Sequence, residues 1–553
     1  MTRRWLPLAL AVLACLPLLG ALGAGFQLDD HFQRLTMLGL GGRPWLSLFV
    51  FYDGDPAKNL AMMDQGWLPW WTAPELRHAS LRYLSVLSMR LDYLLWPSRP
   101  ELMHLHSLVW LGALVAAATA FYRRVLGVTW VAALAALLYA LDDAHAAPAE
   151  YLANRNALIA SCFGVAALAC FARGRGLAAA GCLALALAAG EIALGAVAYL
   201  VAYALCLERG RARAFAPSAA VLVVWALVYE LGRFGAQASG FYVDPVGQPL
   251  EFARAFVDRA PFLILGQWTP VPADFGVVES VASQLRWLAL ATVLAVTALF
   301  APLVRREPVA RFFALGAVLS LVPIAATGPG NRLLFFVGLG SMGLVAQLVH
   351  RAVSQRWLWL AAAPLLAVHV VLAPALSIAT LRFQHGASAK LDGAIASVPA
   401  DESLREQDLI LVNPPDYVYL ASAIPAVRAV EGRPRASRMR ALAPGPMELT
   451  RTGERTLRVR LTRGLFPDEF SRYFRSPELP FAVGQRVELT GFAVEILALH
   501  EAGDPSEFEF GFPVPLEDES LRWLRYEAGE WRPWIPPALG ESAVLQEESG
   551  IFG

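Results

Sequence analysis

Three adjacent residues near the N-terminus, Asp29, Asp30 and His31, are of types that do chemistry. Neighbouring carboxylates repel one another, so a chain that keeps two together either leaves them in water or uses their charge. Such a pair serves as a poised base or as ligands for a divalent cation, Mg or Mn. Capping a helix would require only one acid. A second group lies in "ALDDAHAAPAEYLANRNALIAS" (140–161), which places Asp142, Asp143, His145, Glu150 and Arg155 between two apolar runs. Polar residues so close to hydrocarbon usually face the protein interior or a wet cavity; interfacial snorkelling and helix capping are the plainer alternatives.

The elements that must position these residues are membrane spans. The chain of 553 residues is 57% hydrophobic and 17% charged, with mean hydropathy +0.48. Apolar runs fall near 5–25, 102–122, 125–141, 156–172, 177–190, 192–207, 216–233, 285–303, 311–326, 333–350 and 357–376. A helix needs about 20 such residues to cross a bilayer. The first run follows Arg3 and Arg4 and exceeds the apolar core of a signal peptide, so it reads as an uncleaved span. Arg123/Arg124, Arg173/Arg175, Arg209/Arg211/Arg213, Arg305/Arg306/Arg311 and Arg351/Arg356 then recur at alternate ends and mark the cytoplasmic face. A turn at Gly190–Glu191 keeps Arg175 and Arg209 on one side. Eleven spans put the N-terminus in the cytoplasm and the residues after about 380 outside. Asp29, Asp30, Asp142, Asp143, His145, Glu150, Arg155, Glu191 and Arg332 all fall on the outer face.

The expected fold is a membrane α-helical bundle of about eleven transmembrane helices over 1–380, with a C-terminal soluble domain, mostly β, over 381–553. Alternation in "RTLRVRLTR" (455–463) supports strands there. The long outer loop 26–101 is expected to carry interfacial segments. Trp67, Trp70 and Trp71 lie beside prolines, and "LRYLSVLSMRLDYLLW" (81–96) is amphipathic at helical spacing. "GLGSMG" (338–343) has the spacing of a nucleotide-binding turn but sits inside a span, where small residues serve helix packing. Zero net charge gives no field for nucleic acid. The five cysteines lie in apolar runs, so the extramembrane parts carry no disulfide framework.

Three stretches in order resemble the C superfamily of polytopic glycosyltransferases, which use polyprenyl-phosphate sugars. They are the acidic pair after the first span, "LRYLSVLSMRLDYLLWPSRPELMHLHSL" (81–108), and "DDAHAAPAEYLANRNALIAS" (142–161). The likeness is to the protein O-mannosyltransferases and the transmembrane, tetratricopeptide-bearing mannosyltransferases. His145, Glu150 and "RNALIA" (155–160) match a histidine, a glutamate and an arginine-led motif of the latter, and "NRLLFF" (331–336) their later arginine-led span. Glycine replaces the lysine that precedes their glutamate at Gly190–Glu191, and the tail shows no tetratricopeptide repeat.

The resemblance implies sugar transfer from a polyprenyl-phosphate donor to a protein, glycan or lipid acceptor at the outer face of a bacterial plasma membrane. Asp29 would be the base and Asp30 its partner, or the two would hold a divalent cation. Arg155 and Arg332 would stabilise the departing phosphate, with His145, Glu150, His104 and Glu191 about the substrate. Two other readings stay open: a transporter or flippase of a lipid-linked or anionic substrate, and a non-catalytic scaffold presenting the soluble domain. Transporter sites lie near the midplane on broken helices, whereas these charges gather at one face.

Overall fold

In the computed structural model, which describes residues 2–208, 212–500 and 503–552, the chain divides into two compact units. One comprises Met1–Phe26, Ala79–Gly235 and Val243–Phe383; the other comprises Gln27–His78, Ala236–Tyr242 and Gln384–Gly553. Of the arginines that carry the topology, Arg209 and Arg211 lie outside the described residues.

The first unit is helical. Among the described residues, seven helices are long and apolar enough to cross a membrane: Arg4–Gly23, Pro100–Val125, Leu152–Ala172, Ala214–Leu231, Glu279–Arg306, Phe335–Ser354 and Arg356–Ser397. Four shorter apolar helices, Trp130–Ala140, Gly176–Ala189, Glu191–Cys206 and Pro308–Ile324, take up the remaining expected spans. The chain is a multi-pass membrane protein. The 177–207 run breaks where expected, with extended backbone at Gly190. Pro249–Trp268 is an additional helix that the apolar runs did not predict. It opens on proline, which suits a first helical position, and Glu251, Arg254, Asp258 and Arg259 interrupt its apolar pattern.

The "GLGSMG" stretch packs helices, as its setting implied. A Cβ on Gly340 would stand 2.3 Å from the Tyr199 hydroxyl and 2.5 Å from the Phe313 carbonyl oxygen. One on Gly343 would stand 2.8 Å from the Phe313 ring. Only glycine lets these helices approach so closely.

The second unit is built on sheets. A six-stranded antiparallel sheet runs in the order Ser542–Leu545, Met447–Arg451, Thr456–Leu461, Pro505–Gly511, Phe492–Leu499 and Arg486–Leu489. In "TLRVRL", Leu457, Val459 and Leu461 are buried while Arg458 and Arg460 are exposed, the period-two pattern of a strand with one wet face. A four-stranded sheet orders Glu530–Pro533, Leu521–Glu527, Asp408–Leu411 and Arg438–Ala441. Two of its pairs are parallel, and the helix Ser422–Glu431 lies in the crossover between Asp408–Leu411 and Arg438–Ala441.

The long outer loop divides: Gln27–His78 folds with the C-terminal residues, and Ala79 onward with the helices. Trp70 and Trp71 are core residues of the sheet unit, each 3% exposed, and not members of an interfacial belt. Trp70 Nε1 donates to the Leu442 carbonyl at 2.8 Å, and its ring meets Phe508 and Phe510 edge-on. Arg475 donates to the carbonyls of Trp71 (2.7 Å) and Thr72 (3.1 Å), with its guanidinium 3.9 Å from the Phe481 ring centre. An indole is as well served by a core with an N–H acceptor as by a membrane surface.

The arginine pattern makes a direct prediction. In sealed cells, a cysteine replacing the exposed Val246 reacts with an impermeant thiol reagent, and one replacing the exposed Arg175 reacts only after permeabilisation. Labelling of the second in sealed cells would reverse the orientation.

Candidate functional site

Asp29 and Asp30 open the helix Asp29–Met37 in the sheet unit. The preceding residue, Leu28, has φ 43° and ψ −116°, a sparsely populated conformation that costs a leucine roughly 1–3 kcal/mol. The two acids that follow have different surroundings. Asp30 is 1% exposed, and its Oδ2 accepts from the Gln27 backbone N–H at 3.0 Å, which ties down the strained turn. Asp29 is half-buried, and its charge reaches two phenols of the same unit, Tyr52 and Tyr473. Burial first, and then the Asp29 charge, hold the Tyr52 hydroxyl above the ordinary phenol range. The Tyr473 hydroxyl lies 2.8 Å from His78 Nδ1, and the His78 ring packs on Tyr242 (4.4 Å) and Phe51 (5.1 Å). Nothing in residue spacing connects positions 29, 52, 78 and 473; the fold alone assembles them.

His31 sits in the same turn of helix, 8% exposed, and its Nε2 has no hydrogen-bond partner among the described residues. Burial, and then the Arg34 charge, pull its pKa down to about 4. Among the described residues no three His, Cys, Asp or Glu side chains converge as a metal site requires. Mg is commonly held by one or two carboxylates, with waters and substrate phosphates completing its shell, and Asp29 and Asp30 could supply no more than those carboxylates.

In the helical unit, the acidic stretch is laced to two other segments. Asp142, 4% exposed, accepts from the Ala144 N–H at 3.1 Å and from Gln267 Nε2 at 3.1 Å. Asp143 accepts from Asn331 Nδ2 at 2.6 Å. Asn331 in turn accepts from the Ala273 N–H (2.8 Å) and donates its own N–H to Asp274 (2.9 Å). Burial holds both carboxyls above the usual carboxylate range, and the Asp142 charge adds to this at Asp143. His145 is 1% exposed between the rings of Tyr139 (4.9 Å) and Phe335 (5.2 Å), and neither ring nitrogen has a partner among the described residues. Burial pulls its pKa down to about 3, so it is a neutral imidazole at physiological pH. Arg332 lies half-buried in the turn Asn331–Leu333, and Glu150 is wholly buried at the end of the helix Ala146–Glu150.

Arg155 lies inside the helical bundle. It is 1% exposed, and all three guanidinium nitrogens are engaged inside the bundle. Nε donates to Ser107 Oγ (2.8 Å), Nη2 to the Met103 carbonyl (2.6 Å), and Nη1 pairs with Asp92. Asp92 lies within an amphipathic run, where spacing alone gives no sign that an acid is buried against a cation. His104 is fully buried and donates from Nε2 to the Gly25 carbonyl at 2.8 Å. Glu191 accepts from the Leu81 N–H (3.1 Å) and from Arg82 Nε (2.9 Å). Arg82 thus supplies the cation whose absence beside Glu191 the sequence had marked. Within the helical unit the structure joins 142–145 to 331–332; Asp29 and Asp30 belong to the other unit.

The buried neutral His31 has a pH signature. Unfolded, it takes a proton near pH 6.5; folded, it stays neutral to about pH 4, so its contribution to stability is lost as pH falls through that window. His31→Gln removes the dependence. Between pH 6.5 and 4 the melting temperature of the variant should gain on the wild type, corresponding to about 1.4 kcal/mol per pH unit. A difference that stays constant from pH 7 to 4.5 would show that His31 titrates normally in the fold.

No protein-family model and no curated protein matches the sequence. Among solved structures the chain is similar to ArnT from Cupriavidus metallidurans bound to undecaprenyl phosphate, at 13% identity and TM-score 0.39, covering 77% of this chain and 85% of that one. It is also similar to an Archaeoglobus fulgidus oligosaccharyltransferase tethered to an acceptor peptide (12% identity, TM-score 0.40, covering 80% of this chain and 64% of that one). The oligosaccharyltransferase AglB of the same organism, in complex with an inhibitory peptide and a dolichol-phosphate, stands at 12% identity and TM-score 0.40, with 77% and 64% covered. Likeness of that degree leaves substrate and chemistry to be argued from this chain's own residues.

Proposed function

We propose that the protein is an integral-membrane glycosyltransferase that moves a sugar from a polyprenyl-phosphate donor to an acceptor hydroxyl at the extracytoplasmic face. The observation that carries this reading is the division within the acidic pair: Asp30 is buried and bound to backbone, while Asp29 is half-buried at the head of its helix. The sequence motifs that resemble lipid-phosphate-dependent glycosyltransferases give that division its chemical sense. Asp29 takes the proton of the acceptor hydroxyl as the acceptor oxygen attacks the anomeric carbon. The bond from that carbon to the phosphate oxygen breaks, and polyprenyl phosphate leaves with the electron pair. Arg332 is the arginine assigned to the charge that develops on the phosphate, a role guanidinium groups fill well. A neutral His145 with both ring nitrogens uncommitted among the described residues is suited to orient a hydroxyl, as donor or as acceptor.

Purified protein in proteoliposomes, supplied with a radiolabelled polyprenyl-phosphate sugar, tests the assignment. Asp29→Asn should lower transfer by about 10²-fold or more, the ordinary worth of a positioned base. Asp30→Asn should cost mainly stability, about 1 kcal/mol from the weakened hydrogen bond to the Gln27 N–H. Transfer by Asp29→Asn at the wild-type rate would remove Asp29 from the role. Movement of the intact donor across the bilayer without sugar transfer would favour a flippase.

A further inference from the structure

The helix Tyr83–Leu95 turns leucines outward and buries Val86, Met89 and Tyr93 together with two polar residues. Leu87, Leu91, Leu94 and Leu95 are exposed, while Ser85 and Asp92 are each 1% exposed. The inward side is attached by polar groups along its length: Arg82 to Glu191 (2.9 Å), Ser85 Oγ to the Ala189 carbonyl (2.7 Å), and Asp92 to Arg155 and His106. The leucine side is followed in the chain by the exposed Leu105 and Val109 of the span Pro100–Val125. This is the arrangement of a helix bathed in lipid and held by charge from within.

The attachment at Asp92 has a defined protonation state. Trp110 Nε1 can only donate, and it points to His106 Nε2 at 3.0 Å. That nitrogen is therefore unprotonated. The ring proton lies on Nδ1, which donates to Asp92 Oδ1 at 2.7 Å, with Arg155 Nη1 3.4 Å from the same nitrogen. The other carboxylate oxygen takes Arg155. One cation, one anion and one neutral imidazole make a unit with no net charge, and the Arg155 and Asp92 side chains are only 1% and 2% exposed. Arg155 is anchored from behind by Ser107 and Met103 on the span Pro100–Val125.

We propose that Asp92, Arg155 and His106 form one positioning unit that fixes the lipid-facing helix Tyr83–Leu95 against the bundle for reception of a lipid-borne donor. Arg155 acts through Asp92 and does not touch the donor phosphate. The functional half of this rests on the glycosyl transfer proposed above; the structural half does not. An arginine with all three nitrogens committed to three different groups cannot be replaced by lysine, which offers a single point of charge.

The test uses the full-length protein and three readouts. In protein labelled with ¹⁵N-histidine, His106, identified by its loss in His106→Gln, should appear as the neutral Nδ1–H tautomer near pH 7. The Nε2–H tautomer or an imidazolium would overturn the proposal without reference to activity. Arg155→Gln and Asp92→Asn should each lower the melting temperature, and the double variant should be more stable than either, because each single change strands a buried charge. Additive losses would overturn the pairing. In proteoliposomes, Arg155→Lys should raise the donor KM tenfold or more and change kcat less than threefold, as Arg155→Gln does. Lysine that restores the wild-type KM would make Arg155 a phosphate ligand instead. If the wild type transfers no sugar, the function fails while the tautomer and the stability cycle still decide the positioning unit.

Discussion

A guanidinium enclosed by apolar helices must find its counter-charge within the same enclosure, and Arg155 finds it in Asp92. Much of the helical unit follows from that constraint. Stranding either charge would cost roughly 3–5 kcal/mol, so the segments that carry them are held in register. Asp92 comes from the helix Tyr83–Leu95, Arg155 from the start of the span Leu152–Ala172, and Ser107, Met103 and His106 from Pro100–Val125. Three segments thus share one polar knot, and the helix that brings the aspartate can turn its leucines outward.

The same rule governs the acidic stretch after Trp130–Ala140. Asp142 is buried and Asp143 half-buried at the end of a span, and each is met by a side-chain amide, from Gln267 and Asn331. Those amides fasten the Pro249–Trp268 helix and the Asn331–Leu333 turn to the acidic segment. The polar residues here are therefore largely mortar; the buried His145 lies between Tyr139 and Phe335, and Arg332 sits on the turn that Asn331 holds. In the sheet unit, Asp30 is buried and accepts from the Gln27 N–H, while Asp29 is half-buried beside it.

Apolar run length carried most of the helical architecture, because a bilayer imposes one length scale on every span. Even the break at Gly190 could be read, since an uninterrupted helix would have put Arg175 and Arg209 on opposite sides. What escaped was pairing between distant segments. Pro249–Trp268 was hidden by its own charges. Trp70 and Trp71 look the same in sequence whether they face lipid or a sheet, and the partners that settle it, Leu442, Phe508 and Arg475, lie some 400 residues on. Arg155 stands out in sequence, but its ion-pair partner Asp92 is an acid whose neighbours in sequence are those of a solvated helix face. The parallel pairing of Asp408–Leu411 with Leu521–Glu527 likewise leaves no local trace.

Single displacement at the anomeric carbon, with Asp29 as base and polyprenyl phosphate as leaving group, has one stereochemical outcome. The most direct measurement is the anomeric configuration of the transferred sugar, read by NMR of the product formed from a donor of defined β linkage. The account predicts an α-linked product, with one polyprenyl phosphate released per sugar transferred. A β-linked product, or a donor that keeps its sugar throughout, would contradict it.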